Sequence, residues 1–190
     1  MVDVRLFSAS QIADPNALFA LIDRVQAGVP YNDTSGSMLA KEWAPKAIGD
    51  SKTVLLAFEG AKVLGYCFGQ PYQSYEGFLS SAAAYDVEPE TCMYLSEFGV
   101  DASARNSGVG TKLLGALIAE NDSAFESILV RTMLRVFGTD EPNPAIAFYE
   151  KAGFELVRSG GDVLVEDAGR FADRPRVFLR WRKPRLANPT

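Results

Sequence analysis

The chain has 190 residues, 47% apolar and 23% charged, with a formal net charge of -5 at pH 7. That length and composition fit one globular domain that buries a core without metal or disulfide support, and the acidity argues against a nucleic-acid partner. The absence of histidine excludes Ser-His-Asp and Cys-His catalysis and leaves proton transfer to carboxylate, tyrosine, lysine, thiol or water.

Val2 to Leu6 alternates and predicts a first strand. Asp14-Pro15 supplies a helix cap and first turn. Leu18, Leu21, Ile22 and Val25 then predict an amphipathic helix over 15–27, ending at Gly28. A turn-rich stretch from Pro30 to Gly36 leads to a second helix from Ser37 to Ala47, with Leu39, Trp43 and Ala47 spaced four apart. Lys52 to Phe58 and Lys62 to Gly69 read as strands of a hairpin turning at Glu59-Gly60. Residues 71 to 91 lack a period and carry Tyr72, Tyr75, Phe78 and Tyr85, and long loops of this kind are often functional. Residues 93–100 form a strand, followed by Arg105-Asn106-Ser107-Gly108-Val109-Gly110 and the apolar start of a helix. Ser127 to Val136 is again strand-like, and Asn143-Pro144 caps a short helix, Ala145 to Ala152, closed by Gly153. Glu155 to Arg158 and Arg176 to Arg182 are strands separated by a polar loop from Ser159 to Pro175, and 184–190 reads as a flexible tail. The expectation is one α/β mixed domain over 1–183.

No apolar run approaches the ~20 residues of a membrane helix. The N-terminus lacks a signal-peptide pattern, so a cytoplasmic location without a membrane partner is expected. Cys67 and Cys92 are far apart, have no metal-ligand spacing, and read as small core residues. No metal is expected.

A strand, a basic glycine-bearing loop and a helix start suit a diphosphate, because N–H groups at a helix N-terminus lack intrahelical partners. The loop is not a P-loop, since Gly110 is followed by Thr111-Lys112 in the wrong order. It is not a dinucleotide fingerprint either, because the third small residue would fall at Leu113. An ordinary glycine turn opening a helix remains the alternative for these six residues taken alone.

Together with Asn143-Pro144-Ala145-Ile146-Ala147-Phe148-Tyr149-Glu150-Lys151-Ala152-Gly153-Phe154, the loop resembles the GNAT superfamily of acyl-CoA-dependent N-acyltransferases. That family's phosphate loop reads Arg/Gln-x-x-Gly-x-Gly/Ala, matched at positions 105, 108 and 110. Its later helix reads Asn-x-x-Ala-x-x-x-Tyr-x-x-x-Gly-Phe, whose Asn, Tyr, Gly and Phe are supplied by 143, 149, 153 and 154, with the Asn-to-Tyr spacing one residue shorter and Ala147 one place off. The motifs cover about a third of the chain, residues 93 to 158. The resemblance implies a seven-strand, mostly antiparallel mixed sheet, splayed beside the fourth strand and flanked by about four helices. It implies acetyl-CoA as acyl donor, with backbone contacts from Phe98 and Val100 around Gly99. Asn106, Ser107, Gly108, Val109, Gly110 and Thr111 would hold the pyrophosphate, Arg105 would add charge, and Asn143 would contact the pantetheine side.

The implied reaction is direct attack of a primary amine on the thioester. Tyr149 would donate a proton to the departing thiolate, since a phenol of pKa ~10 keeps its proton at neutral pH. Glu97, directly or through water, is the candidate base. Strand alternation sets Glu97 and Phe98 on opposite faces, so its role depends on which face meets the substrate, and a bulge near Gly99 would change that. The acceptor would be gripped by Tyr31, Asp33 and Trp43; by Tyr72, Tyr75, Glu76, Tyr85, Asp86 and Glu88; and by Asp162, Glu166 and Asp167. Aromatics with carboxylates suit a small cationic amine: a polyamine, an aminoglycoside-like compound or an amino-acid derivative. A protein or peptide amine, and a non-catalytic acyl-CoA-binding regulatory domain, are the alternatives. A homodimer is compatible with the resemblance.

Overall fold

A computed structural model describes residues 2–7, 12, 14–32, 39–74, 82–121, 123–166 and 174–184. The strands are β1 (Asp3–Phe7), β2 (Thr53–Glu59), β3 (Lys62–Pro71), β4 (Cys92–Val100), β5 (Ser127–Met133), β6 (Glu155–Leu156), β7 (Arg158–Ser159), β8 (Asp162–Val163), β9 (Val165–Glu166) and β10 (Arg176–Arg182). The helices are α1 (Pro15–Ala27), α2 (Ala40–Asp50), the single turn α3 (Ala82–Tyr85), α4 (Val109–Asn121) and α5 (Pro144–Lys151).

The main sheet has eight strands in the order β1-β2-β3-β4-β5-β10-β6, with β9 also on β10, and β7 with β8 makes a separate hairpin. Every pairing is antiparallel except β4 with β5. The polar loop expected between Ser159 and Pro175 thus contributes β8 and β9, too short to show a period in the sequence. The tail at 185–190 lies outside the described residues.

Two features of β4 shape the molecule. Its parallel pairing with β5 runs only from Cys92–Ser127 to Leu95–Val130, although both strands continue. On its other edge, Phe68 of β3 pairs with Glu97 and Gly69 pairs with Leu95, leaving Ser96 as an extra residue. This bulge reverses the alternation beyond it. Ser96 Oγ donates to the Phe68 carbonyl at 3.1 Å and accepts from Gln70 Nε2 at 3.3 Å, so the irregular backbone is held by side chains.

Each face of the sheet is covered by helices. Leu18, Leu21, Ile22 and Val25 of α1 pack with Val54, Leu56, Tyr66 and Phe68 on one face. Leu113, Leu114 and Leu117 of α4 pack with Leu55, Cys67, Met93 and Leu95 on the other. The α1 reading from sequence agrees with the structure in both bounds, and Asp14 accepts from the N–H groups of Asn16 and Ala17. Helix α2 differs. It starts at Ala40, and its buried stripe is Ala40, Ala44 and Ile48, whereas Leu39 is exposed and Trp43 sits at the margin. The small alanines permit close helix packing, and the N-terminus is capped from outside: Asp23 Oδ1 of α1 accepts from the Ala40 N–H at 2.7 Å. Residues 33–38, where the helix start was expected, lie outside the described residues.

Asp23→Ala removes that cap. Its expected cost is about 1 kcal/mol, read as a lower urea midpoint with unchanged slope. A wild-type midpoint would show that water replaces the carboxylate at no cost.

Candidate active site

Where β4 and β5 part, the sheet opens into a cavity of about 850 Å³. It is lined by Phe98, Val100, Arg105, Asn106, Gly108, Gly110 and Thr111, and by Tyr31, Tyr66, Tyr94, Glu97, Arg131 and Arg176, with Tyr149 also on the wall. Each group follows from local structure. Asn106 and Gly108 have φ of 62° and 86°, the left-handed turn that aims successive N–H groups outward before α4 begins. A side chain at Gly108 would meet nothing within 4 Å, so its face is open. At Gly110 a Cβ would lie 3.2 Å from the Phe148 ring, so glycine there lets α4 start close against α5. Phe98 and Phe148 stack at 5.5 Å and form an apolar wall. Arg24 of α1 pairs with Asp101 at 3.0 Å, tying that helix to the segment before the loop.

The bulge at Ser96 decides where the acid points. Glu97 pairs with Phe68, so it shares the α1–α2 face with Tyr66, while Phe98 pairs with Cys67 and faces α4 and α5. The irregularity lies at Ser96, three residues before Gly99. Burial pushes the Glu97 carboxyl up to about 8, partly offset by Arg131 and Arg176. Burial also raises the Tyr31 phenol to about 12, with Glu97 adding to it. Tyr149 is 4% exposed, and burial holds its phenol well above the ordinary value, reinforced by Tyr31, Cys67, Tyr94 and Glu97. It keeps its proton throughout the neutral range. Among the described residues, no hydrogen-bond partner engages the Glu97 carboxylate or the hydroxyls of Tyr31, Tyr66 and Tyr149. All four residues line the cavity.

Other candidates sit elsewhere. Asn143 is 2% exposed and caps α5: its Oδ1 accepts from Ala145 N, and its Nδ2 donates to Thr132 Oγ1 and the Met133 carbonyl. Val109 is a core residue, and Ser107 Oγ donates to the Ala104 carbonyl at 2.6 Å. Gly99 is off the cavity wall, because Tyr66 occupies the space a side chain would need. Tyr72 and Tyr85 belong to a core cluster with Phe178 rather than to the cavity lining. Asp86 is held by Arg180 and Arg182, and Glu166 pairs with Arg131 at 3.0 Å. Asp33, Tyr75, Glu76 and Asp167 lie outside the described residues. Tyr66, Arg131 and Arg176 carry no signal in the sequence, because their approach to Glu97 depends on strand register. Cys67 and Cys92 are buried, and burial raises both thiols. Among the described residues no cluster of His, Cys, Asp or Glu suits a metal, and no helix is long and apolar enough to cross a membrane.

The sequence model of the Acetyltransferase (GNAT) family matches residues 19–154. No curated protein matches the chain. Among solved structures it is similar to an aminoglycoside 6'-N-acetyltransferase complexed with coenzyme A, at 18% identity and a TM-score of 0.66, over 97% of this chain and 99% of that one. It is also similar to the ribosomal-protein-S18-alanine N-acetyltransferase from Escherichia coli, at 14% identity and a TM-score of 0.63, over 100% and 99% of the two chains. A third is yncA from Salmonella typhimurium with its cofactor acetyl-CoA, at 16% identity and a TM-score of 0.64, over 100% and 98%. At these identities the likeness concerns the fold.

The raised Glu97 pKa has a consequence for stability. A carboxyl near 8 when folded and ~4.3 when unfolded binds its proton more tightly in the folded state. Its contribution is therefore complete below ~4.3, falls as pH rises, and levels off above about 8. Glu97→Gln is expected to flatten that decline in melting temperature between pH 5 and 8. A decline identical to wild type would place the titration on another group.

Proposed function

This chain belongs to the acetyltransferase (GNAT) family and is an acyl-CoA-dependent N-acetyltransferase, and we propose that it acetylates a small primary amine with acetyl-CoA, Glu97 and Tyr149 handling the protons. The observation that carries this reading is the single cavity shared by the 105–111 loop, Glu97 and Tyr149.

The open face at Gly108 and the left-handed turn at Asn106 and Gly108 fit a diphosphate cradle. Backbone N–H groups from Asn106 through Thr111 would hold it, with Arg105 adding charge, and the backbone of Phe98 and Val100 would face the pantetheine arm. Asn143 supports that end by capping α5 and tying it to β5. Acetyl-CoA supplies an acetyl group activated as a thioester. Glu97 takes a proton from the acceptor ammonium, directly or through water. Tyr149 donates its hydroxyl proton to the departing sulfur. Across the whole reaction the ammonium nitrogen loses two protons, one ending on the CoA thiol and one in solvent.

Glu97 is the carboxylate on the described cavity wall, beside aromatic rings and the arginines 131 and 176. With Asp86 and Glu166 held by arginines, the described cavity wall offers one carboxyl, protonated below about 8, and no cluster of anions, which favours an acceptor with a single amine, such as an amino-acid derivative, over a polycation. The same end of the cavity admits a peptide N-terminus, which is the second reading. A regulatory domain that only binds acyl-CoA is disfavoured by a retained phenol at 149 on the cavity wall.

The assay is CoA thiol release from acetyl-CoA across a panel of primary amines. Binding of acetyl-CoA without release for any amine would favour the regulatory reading. Tyr149→Phe is expected to lower kcat by ~10²-fold with acetyl-CoA affinity unchanged, and an unaltered kcat removes Tyr149 from the mechanism. Wild-type kcat/KM is expected to rise with pH and level off above about 8, a limb that Glu97→Gln loses. Arg105→Ala should weaken acetyl-CoA binding by about tenfold or more, as loss of a charge-assisted hydrogen bond does.

A further inference from the structure

Gly99 and Tyr66 are direct cross-strand partners on β4 and β3. A Cβ built on Gly99 would lie 2.5 Å from both Cζ and the hydroxyl oxygen of Tyr66, a distance no side chain tolerates. Gly99 is not among the residues of left-handed φ, so glycine is required there for space and not for conformation. The ring that fills the space is 1% exposed and fixed by Phe68 at 5.4 Å and the α1 core. Yet Tyr66 reaches the cavity wall. Its hydroxyl has no hydrogen-bond partner among the described residues.

Because of the Ser96 bulge, Glu97 and Gly99 share one face of β4, and Tyr66 is the diagonal cross-strand neighbour of Glu97 on that face. A buried, rigid phenol beside the candidate base, on the same cavity wall, is placed to meet the same atom the base meets. We propose that the Tyr66 hydroxyl oxygen accepts a hydrogen bond from the acceptor nitrogen, with Gly99 keeping open the seat that holds it there. Glu97 then breaks one N–H bond of the ammonium and forms its own O–H bond, while Tyr66 keeps its proton and fixes the direction of the nitrogen lone pair. The assignment rests on the acetyl-transfer reading above, and it gives Gly99 a role on the acceptor side in place of a contact with the donor.

The test measures KM for acetyl-CoA and for the best amine of the panel separately. Tyr66→Phe is expected to raise the amine KM by about tenfold, the usual effect of a lost hydrogen bond to a charged group, with the acetyl-CoA KM unchanged. Gly99→Ala should reproduce that split by displacing the ring. In a Tyr66→Leu background, where the clash is relieved, Gly99→Ala should add no further loss. Wild-type amine KM in Tyr66→Phe overturns the proposal while leaving acetyl transfer intact. A rise confined to acetyl-CoA KM in Gly99→Ala overturns it too, by placing the glycine on the donor side. A wild type that releases no CoA with any amine overturns the acetyl-transfer reading and this assignment with it.

Discussion

Between Leu95 and Glu97, strand β4 leaves one neighbour and slips against the other. Its pairing with β5 stops at Leu95–Val130, and Ser96 is inserted opposite β3 with no partner of its own. The first event opens the cavity. The second turns Glu97 toward α1 and α2 and leaves Phe98 facing α4 and α5. Without the bulge, alternation would continue from Tyr94 and Leu95 and would carry the carboxylate to the opposite face. The proposed donor and acceptor sides therefore meet because one strand is irregular at one residue.

Around that irregularity the protein leaves polar atoms unengaged. Glu97 and three phenols lack hydrogen-bond partners among the described residues, although buried polar groups are nearly always satisfied. Unmet hydrogen-bonding capacity at one place is costly, and it is tolerated where a ligand meets it. Residues missing a side chain shape the same volume. Gly110 lets α4 begin against Phe148, and Gly99 admits the ring of Tyr66.

The charge pattern around the cavity corrects a simple reading of acidity. Carboxylates at 86 and 166 do not add to a cation trap, because Arg180, Arg182 and Arg131 hold them. The net charge of the chain bears on solubility more than on this site. What remains is Glu97, raised toward neutrality by burial, which suits a proton acceptor better than a permanent anion.

The sequence by itself determined what local rules govern. The Asp14 and Asn143 caps, the 15–27 stripe, the strand–loop–helix at 93–110 and the hairpin at Glu59-Gly60 were legible because each depends on neighbours a few residues away. The 105–110 and 143–154 motifs likewise sufficed to place the chain among N-acyltransferases. Tertiary structure alone decided the rest. The face of α2 was misread by one residue because its cap is Asp23 from another helix and its packing favours small alanines over Leu39. The short strands β8 and β9 are too brief for a period. Tyr66, Arg131 and Arg176 reach Glu97 only through strand register, and the bulge that sets this register leaves no mark in sequence. A pattern along the chain reports which side of an element is apolar, but a residue's neighbours across a sheet are set by partners far away in the chain.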